Sequence, residues 1–155
     1  MLRHLFTLLA ATALAAAAQA HHYSVGNLDI GHPWSRPTAQ GMPTGVAYLS
    51  ITNKGPQQDT LIGASTPAAA RVEFHRTSFE SGMARMRPAG ALVIEPNATV
   101  TAEPGGLHLM LVDLKSPLVA GTSIPLVLQF KSAGEITVQL TVEPQGFAPP
   151  HSSAE

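Results

Sequence analysis

The chain of 155 residues contains no cysteine. Disulfide staples are therefore excluded, and so is any metal site built on thiolate sulfur. A blue-copper electron-transfer centre, which needs a cysteine thiolate, goes with them. Charge is scarce as well: charged residues make up 12% of the chain, and the formal net charge is −1. No basic stripe is present, which argues against nucleic acid as a partner. There is no internal repeat, no interdomain linker, and no helical periodicity beyond the first twenty residues. No Ser/His/Asp set, carboxylate pair or phosphate-binding loop marks another kind of chemistry. Apolar residues are plentiful at 45%, enough for a real core in one domain.

Residues 1–20 read as a signal peptide. Arg3 and His4 form a small basic start, residues 5–18 are an apolar run, and Ala18-Gln19-Ala20 is an A-x-A cleavage site. The run is shorter than the roughly 20 residues a membrane span needs, and no later stretch approaches that length. Export to the periplasm as a soluble mature protein beginning at His21 is the expectation. In that oxidising space a thiolate site risks disulfide formation, whereas a thioether binds metal without deprotonation.

Thirteen glycines and thirteen prolines, all after residue 25, punctuate short segments. That pattern favours an all-β domain. Strands are expected at 46–52, 71–77, 91–94, 107–114, 123–130 and 135–142, where apolar and polar residues alternate or a buried run lies between turns. About seven to nine strands at this spacing predict a two-sheet antiparallel sandwich over residues 21–146. A flexible tail is expected over 147–155.

Four residues stand out on that frame. Ten residues separate His75 from Met86, twenty-one separate Met86 from His108, and one separates His108 from Met110. Two imidazoles and two thioethers form a soft-to-borderline ligand set that suits Cu(I) better than zinc, magnesium or calcium. His108 and Met110, two apart on a strand, leave the same face about 6.5–7 Å apart. His75 is expected near the end of its strand and Met86 in a charged loop after Ser81-Gly82, so that strand ends and loops converge at one rim. Each residue also has a plain structural reading. His75 could be a surface histidine, His108 a satisfied core histidine, and Met110 core filler. Arg71, Arg76, Arg85 and Arg87 could be a solvated surface or a docking face for an acidic partner.

The spacing His-x10-Met-x21-His-x-Met is similar to the signature of the periplasmic copper chaperone family PCu(A)C. The segments His32-Pro33-Trp34-Ser35-Arg36, Val72-Glu73-Phe74-His75, Met83-Ala84-Arg85-Met86-Arg87-Pro88 and Pro104-Gly105-Gly106-Leu107-His108-Leu109-Met110-Leu111 resemble that family too. The resemblance covers essentially the whole chain after the signal peptide. It implies a cupredoxin-like Greek-key β-sandwich and a Cu(I) site formed by His75, Met86, His108 and Met110. It also implies delivery of copper to the binuclear centre of the copper-binding subunit of cytochrome c oxidase, together with a Sco-type thiol protein. Two departures stand out: Arg76 sits where some members carry a methionine, and only His151 remains of a Met/His-rich tail.

Two other readings compete with an oxidase-directed chaperone that has no turnover of its own. One is a general periplasmic copper buffer or resistance protein. The other is a copper enzyme built on a mature N-terminal His21. The pair His21-His22 could hold Cu(II) weakly through the terminal amine and imidazoles, or it could be a plain flexible end.

Overall fold

A computed structural model describes residues 22–148. Eleven strands follow one another without a helix among the described residues: β1 (Tyr23–Val25), β2 (Leu28–Ser35), β3 (Thr44–Asn53), β4 (Asp59–Ser65), β5 (Ala69–Glu80), β6 (Met83–Pro88), β7 (Leu92–Ile94), β8 (Thr99–Ala102), β9 (Leu107–Leu114), β10 (Ser123–Phe130) and β11 (Gly134–Val142). The main strand order is β6-β5-β9-β3-β2-β11-β10-β4-β7, with β1 against β2 and β8 against β3. The sheet is open, and its two halves pack around one core as a cupredoxin-like sandwich.

The core follows from strand period. Ala47, Leu49 and Ile51 of β3 and Leu107, Leu109 and Leu111 of β9 point inward. Leu126, Leu128 and Phe130 of β10 and Val138, Leu140 and Val142 of β11 join the same buried cluster. Those four strands lie where the alternation places them. The expected antiparallel arrangement needs one correction: β11 pairs with β2 in parallel through Thr141–Trp34 and Val142–Ser35. That contact joins strands distant in sequence, so no turn signal announces it.

A bulge interrupts the pairing of β2. The register with β3 shifts between Gly31 and Trp34, and His32 takes a left-handed φ of 47° at that place. The extra residue turns Trp34 onto the outer face, opposite Tyr48. Their ring centroids lie 4.6 Å apart. Phe147 packs edge-on to Trp34 at 5.2 Å. The expected signal peptide, His21, His151 and nearly all of the expected tail lie outside the described residues.

Candidate metal centre

The candidate ligands come together on one sheet face, and the arrangement differs from the expected rim. β5 and β6 form a long hairpin closed by Ser81 and Gly82, whose φ angles are 52° and 79°. Two consecutive positive values are what a tight two-residue hairpin turn requires. The hairpin register sets Thr77 opposite Met86 and His75 opposite Pro88. On the other side of β5, His75 pairs directly with His108 of β9, and Glu73 pairs with Met110. Period-2 alternation then puts Met86, His75, His108 and Met110 on the same outer face of three adjacent strands. His75 thus sits in mid-strand, because β5 runs on to Glu80. Met86 sits in an edge strand, not a loop.

The two imidazoles carry the chemistry. Their ring centroids are 6.0 Å apart, inclined at 54°. His75 Nε2 lies 2.9 Å from Glu73 Oε2. An ionised carboxylate only accepts, so Nε2 carries the proton and Nδ1 keeps its lone pair. His108 Nδ1 lies 3.1 Å from the carbonyl oxygen of Gly106. A carbonyl also only accepts, so here Nδ1 carries the proton and Nε2 keeps its lone pair. Those two remaining nitrogens, His75 Nδ1 and His108 Nε2, are both buried and have no hydrogen-bond partner. Buried polar atoms are normally satisfied, and exceptions cluster at functional sites. Two such exceptions on paired residues of adjacent strands form a place for an electrophile that accepts two lone pairs.

Exposure is graded across the site. His108 is buried, Met110 and His75 are half-buried, and Met86 is exposed. Among the described residues, no group of three or more His, Asp or Glu side chains could hold a metal ion. An ion between the two imidazoles must therefore complete its shell from elsewhere, and Met86 and Met110 are the sulfur donors on that face.

Sequence reasoning did not pick out Glu73. Its carboxylate is tied to Arg71 Nε at 2.7 Å, and Arg71 reaches Asp113 Oδ2 at 2.8 Å. The hydrogen bond from Arg71, and then that from His75, hold Glu73 below the usual carboxylate range. A carboxylate behind an imidazole fixes the tautomer and orients the ring. The available signal was an acid two residues before a histidine on one strand face. Tyr48 was also passed over. Val46 of β3 pairs with Met110, and Tyr48 lies two residues further along the same face of β3, stacked on Trp34. Burial pushes the Tyr48 hydroxyl above its ordinary range, against a smaller opposing pull from Arg36.

A cavity of about 520 Å³ lies elsewhere, and its walls include His22, Asp29, His32, Trp34 and Glu103. None of the four candidate ligands lines it. His22 Nε2 lies 3.3 Å from Asp29 Oδ2, which also pairs with Lys54.

Comparison with known proteins fits this geometry. The copper-bound PCuAC domain from PmoF2 matches with a TM-score of 0.70 and 31% identity, over 80% of this chain and 98% of that one. The solution structure of CuI-DR1885 from Deinococcus radiodurans matches with a TM-score of 0.61 and 30% identity, over 83% of each chain. A protein of Leifsonia xyli subsp. xyli named "Putative lipoprotein Lxx21020" is 29% identical over 131 residues, covering 84% of this chain and 78% of its own length. By class, then, the protein is a PCuAC-type β-sandwich domain. The chain belongs to the family described as "Putative lipoprotein LpqE-like", which matches residues 28–142.

Proposed function

We propose that the protein is an exported carrier of Cu(I), holding one ion between His75, His108, Met86 and Met110. The observation that carries this reading is the pair of buried, unpartnered nitrogens, His75 Nδ1 and His108 Nε2. Each ring is locked by a hydrogen bond into the tautomer that leaves its lone pair free. Thioethers select Cu(I) over harder ions. All four ligands are neutral, so the ion keeps its charge and can leave as another protein's ligands replace them one at a time. Exposed Met86 is the natural first ligand to be exchanged. The copper named for the PmoF2 and Deinococcus structures supports the choice of metal.

Export through a signal peptide over residues 1–20 is part of the same reading. The lipoprotein names of its relatives support an extracytoplasmic location, although these 155 residues hold no thiol to carry a lipid. The recipient we propose is the copper-binding subunit of cytochrome c oxidase, with a Sco-type thiol protein keeping the acceptor cysteines reduced.

Titration of the reduced mature protein with Cu(I), followed by X-ray absorption, tests the site. One equivalent bound by both sulfur and nitrogen scatterers is expected, and a shell of nitrogen and oxygen alone contradicts it. Deleting the gene should lower oxidase activity when copper is scarce and not when it is supplied. Full activity under copper limitation, with a Cu(I) site intact, would make a general periplasmic copper buffer the better description.

A further inference from the structure

The hairpin that brings Met86 to the site carries two unlike faces. On one, the register aligns Arg76 with Arg87, Ser78 with Arg85, and Glu80 with Met83. Glu80 supplies the acid on that face, and its Oε2 lies 3.4 Å from Arg85 Nε and 3.3 Å from Arg87 Nη2. Three guanidinium groups against one carboxylate leave a local positive surplus in a chain of net charge −1. On the other face the register aligns Thr77 with Met86 and Phe79 with Ala84. Phe79 is 71% exposed and Met86 50% exposed. β6 stands at one end of the strand order, and all six of its residues are exposed. Its outer backbone groups therefore form an open edge that another strand can pair with.

We propose that this edge receives an extended segment of the copper-receiving protein, in which acidic residues alternate with apolar ones. The alternation follows from strand geometry. An added strand sends successive side chains to opposite faces. One set would meet Arg76, Arg85 and Arg87; the other would lie beside Phe79 and Met86. Docking there brings the recipient to the most exposed proposed ligand. Protection of an edge against self-pairing is a known use of charged residues, and it accounts for Arg85 and Arg87. It does not account for a bare phenylalanine and methionine on the opposite face of the same hairpin. A second copy of this chain fits poorly, because antiparallel pairing of β6 with β6 centred on Met86 sets Arg85 of each copy beside Arg87 of the other.

The purpose assigned to the edge rests on the carrier reading, so the test uses two probes. The first is a blocked octapeptide of alternating Glu and Val, titrated into the isotopically labelled mature protein and followed by NMR. Amide shifts confined to Phe79 and residues 83–87 are expected. They should weaken with salt, and a Lys-Val peptide should not produce them. The double variant Arg85→Glu/Arg87→Glu should bind the peptide at least about 10-fold more weakly, with Cu(I) affinity within about 2-fold of wild type. No shift, shifts spread over other strands, or an equal response to the Lys-Val peptide would overturn the proposal. The second probe is the apo copper-binding domain of the oxidase, mixed with the Cu(I)-loaded protein. The double variant should transfer at least about 10-fold more slowly at low ionic strength, and equal rates would count against the edge. If the wild type transfers nothing to this domain, the named recipient is wrong, and the peptide titration alone decides the docking edge.

Discussion

Asn53 and Asp59 can be set against His75 and His108. All four place polar atoms inside the protein, with opposite outcomes. Asn53 is 1% exposed. Its amide donates to the carbonyls of Gln57 and Ile94 at 2.7 and 3.1 Å, and its oxygen accepts from the Gly55 amide at 2.9 Å. Asp59 accepts three backbone N–H groups, from Thr60, Ser132 and Ala133, at 2.7 to 2.9 Å. The histidines satisfy one ring nitrogen each and leave the other bare. Asn53 and Asp59 tie turns and strand ends together around β4 and β7. The two histidines, across the molecule on β5 and β9, present two lone pairs that the fold itself does not use. Complete satisfaction marks a structural polar group, and incomplete satisfaction marks a site.

The largest expected effect falls on the open side. Replacing Met86 and Met110 together by Leu keeps the bulk and removes both sulfurs. Cu(I) affinity should fall by more than about 100-fold, since even partners behind the ligands are worth about 10–100-fold. The folding free energy should move by less than about 1.5 kcal/mol for each such swap. Competition with a Cu(I) chelator and a denaturant titration measure the two quantities. Undiminished affinity would falsify the ligand assignment and leave the bare nitrogens without a purpose.

The next effect falls on the satisfied side. Burial raises the Asp59 pKa, but the backbone donors at Ser132, Thr60 and Ala133 outweigh it and hold the carboxyl below its ordinary value. The charged form therefore stabilises the fold. That contribution is complete above the unfolded pKa, near 3.9, and is lost as pH falls through the lower folded value. Asp59→Asn should cost about 1.5–3 kcal/mol at neutral pH, because an amide nitrogen in place of Oδ2 would face the Ala133 N–H. The variant should also lose part of the acid dependence of stability, with Cu(I) affinity unchanged. Denaturant titrations at pH 7 and pH 3 check both, and a variant as stable as wild type at pH 7 would remove the contrast.

Much of this comparison was legible in the amino-acid order, and the gaps have physical causes. β9 and β10 begin and end where expected, at 107–114 and 123–130, because the buried run of the one and the alternation of the other stop at turns rich in Gly, Pro and Ser. β6 escaped notice because both its faces are exposed, so no apolar period is imprinted on Met83–Pro88. β2 escaped because Pro33 and the bulge at His32 break its period. The shared face of His108 and Met110 followed from spacing alone. The direct pairing of His75 with His108 did not, because β5 and β9 are not joined by a turn and their register is set by packing of the whole sheet.

The smallest expected effect bears most directly on the contrast. His108 is 4% exposed, and its Nε2 has no hydrogen-bond partner. An unsatisfied buried polar atom costs roughly 1–3 kcal/mol. Replacement by Leu removes that atom along with the bond to the Gly106 carbonyl, whose net worth is roughly 0.5–1.5 kcal/mol. It also places a side chain of similar bulk at a buried position. His108→Leu should therefore raise the stability of the copper-free protein by about 1 kcal/mol while abolishing tight Cu(I) binding. That is the pattern expected where function is kept at the expense of stability. The same change at a satisfied position, Asn53→Leu, should destabilise, because it strands the Gly55 amide and two carbonyls. Opposite signs for the two variants in metal-free buffer would show that the histidine pair is held in tension for a ligand. A loss of stability in His108→Leu as large as that in Asn53→Leu would mean that His108 is an ordinary structural residue.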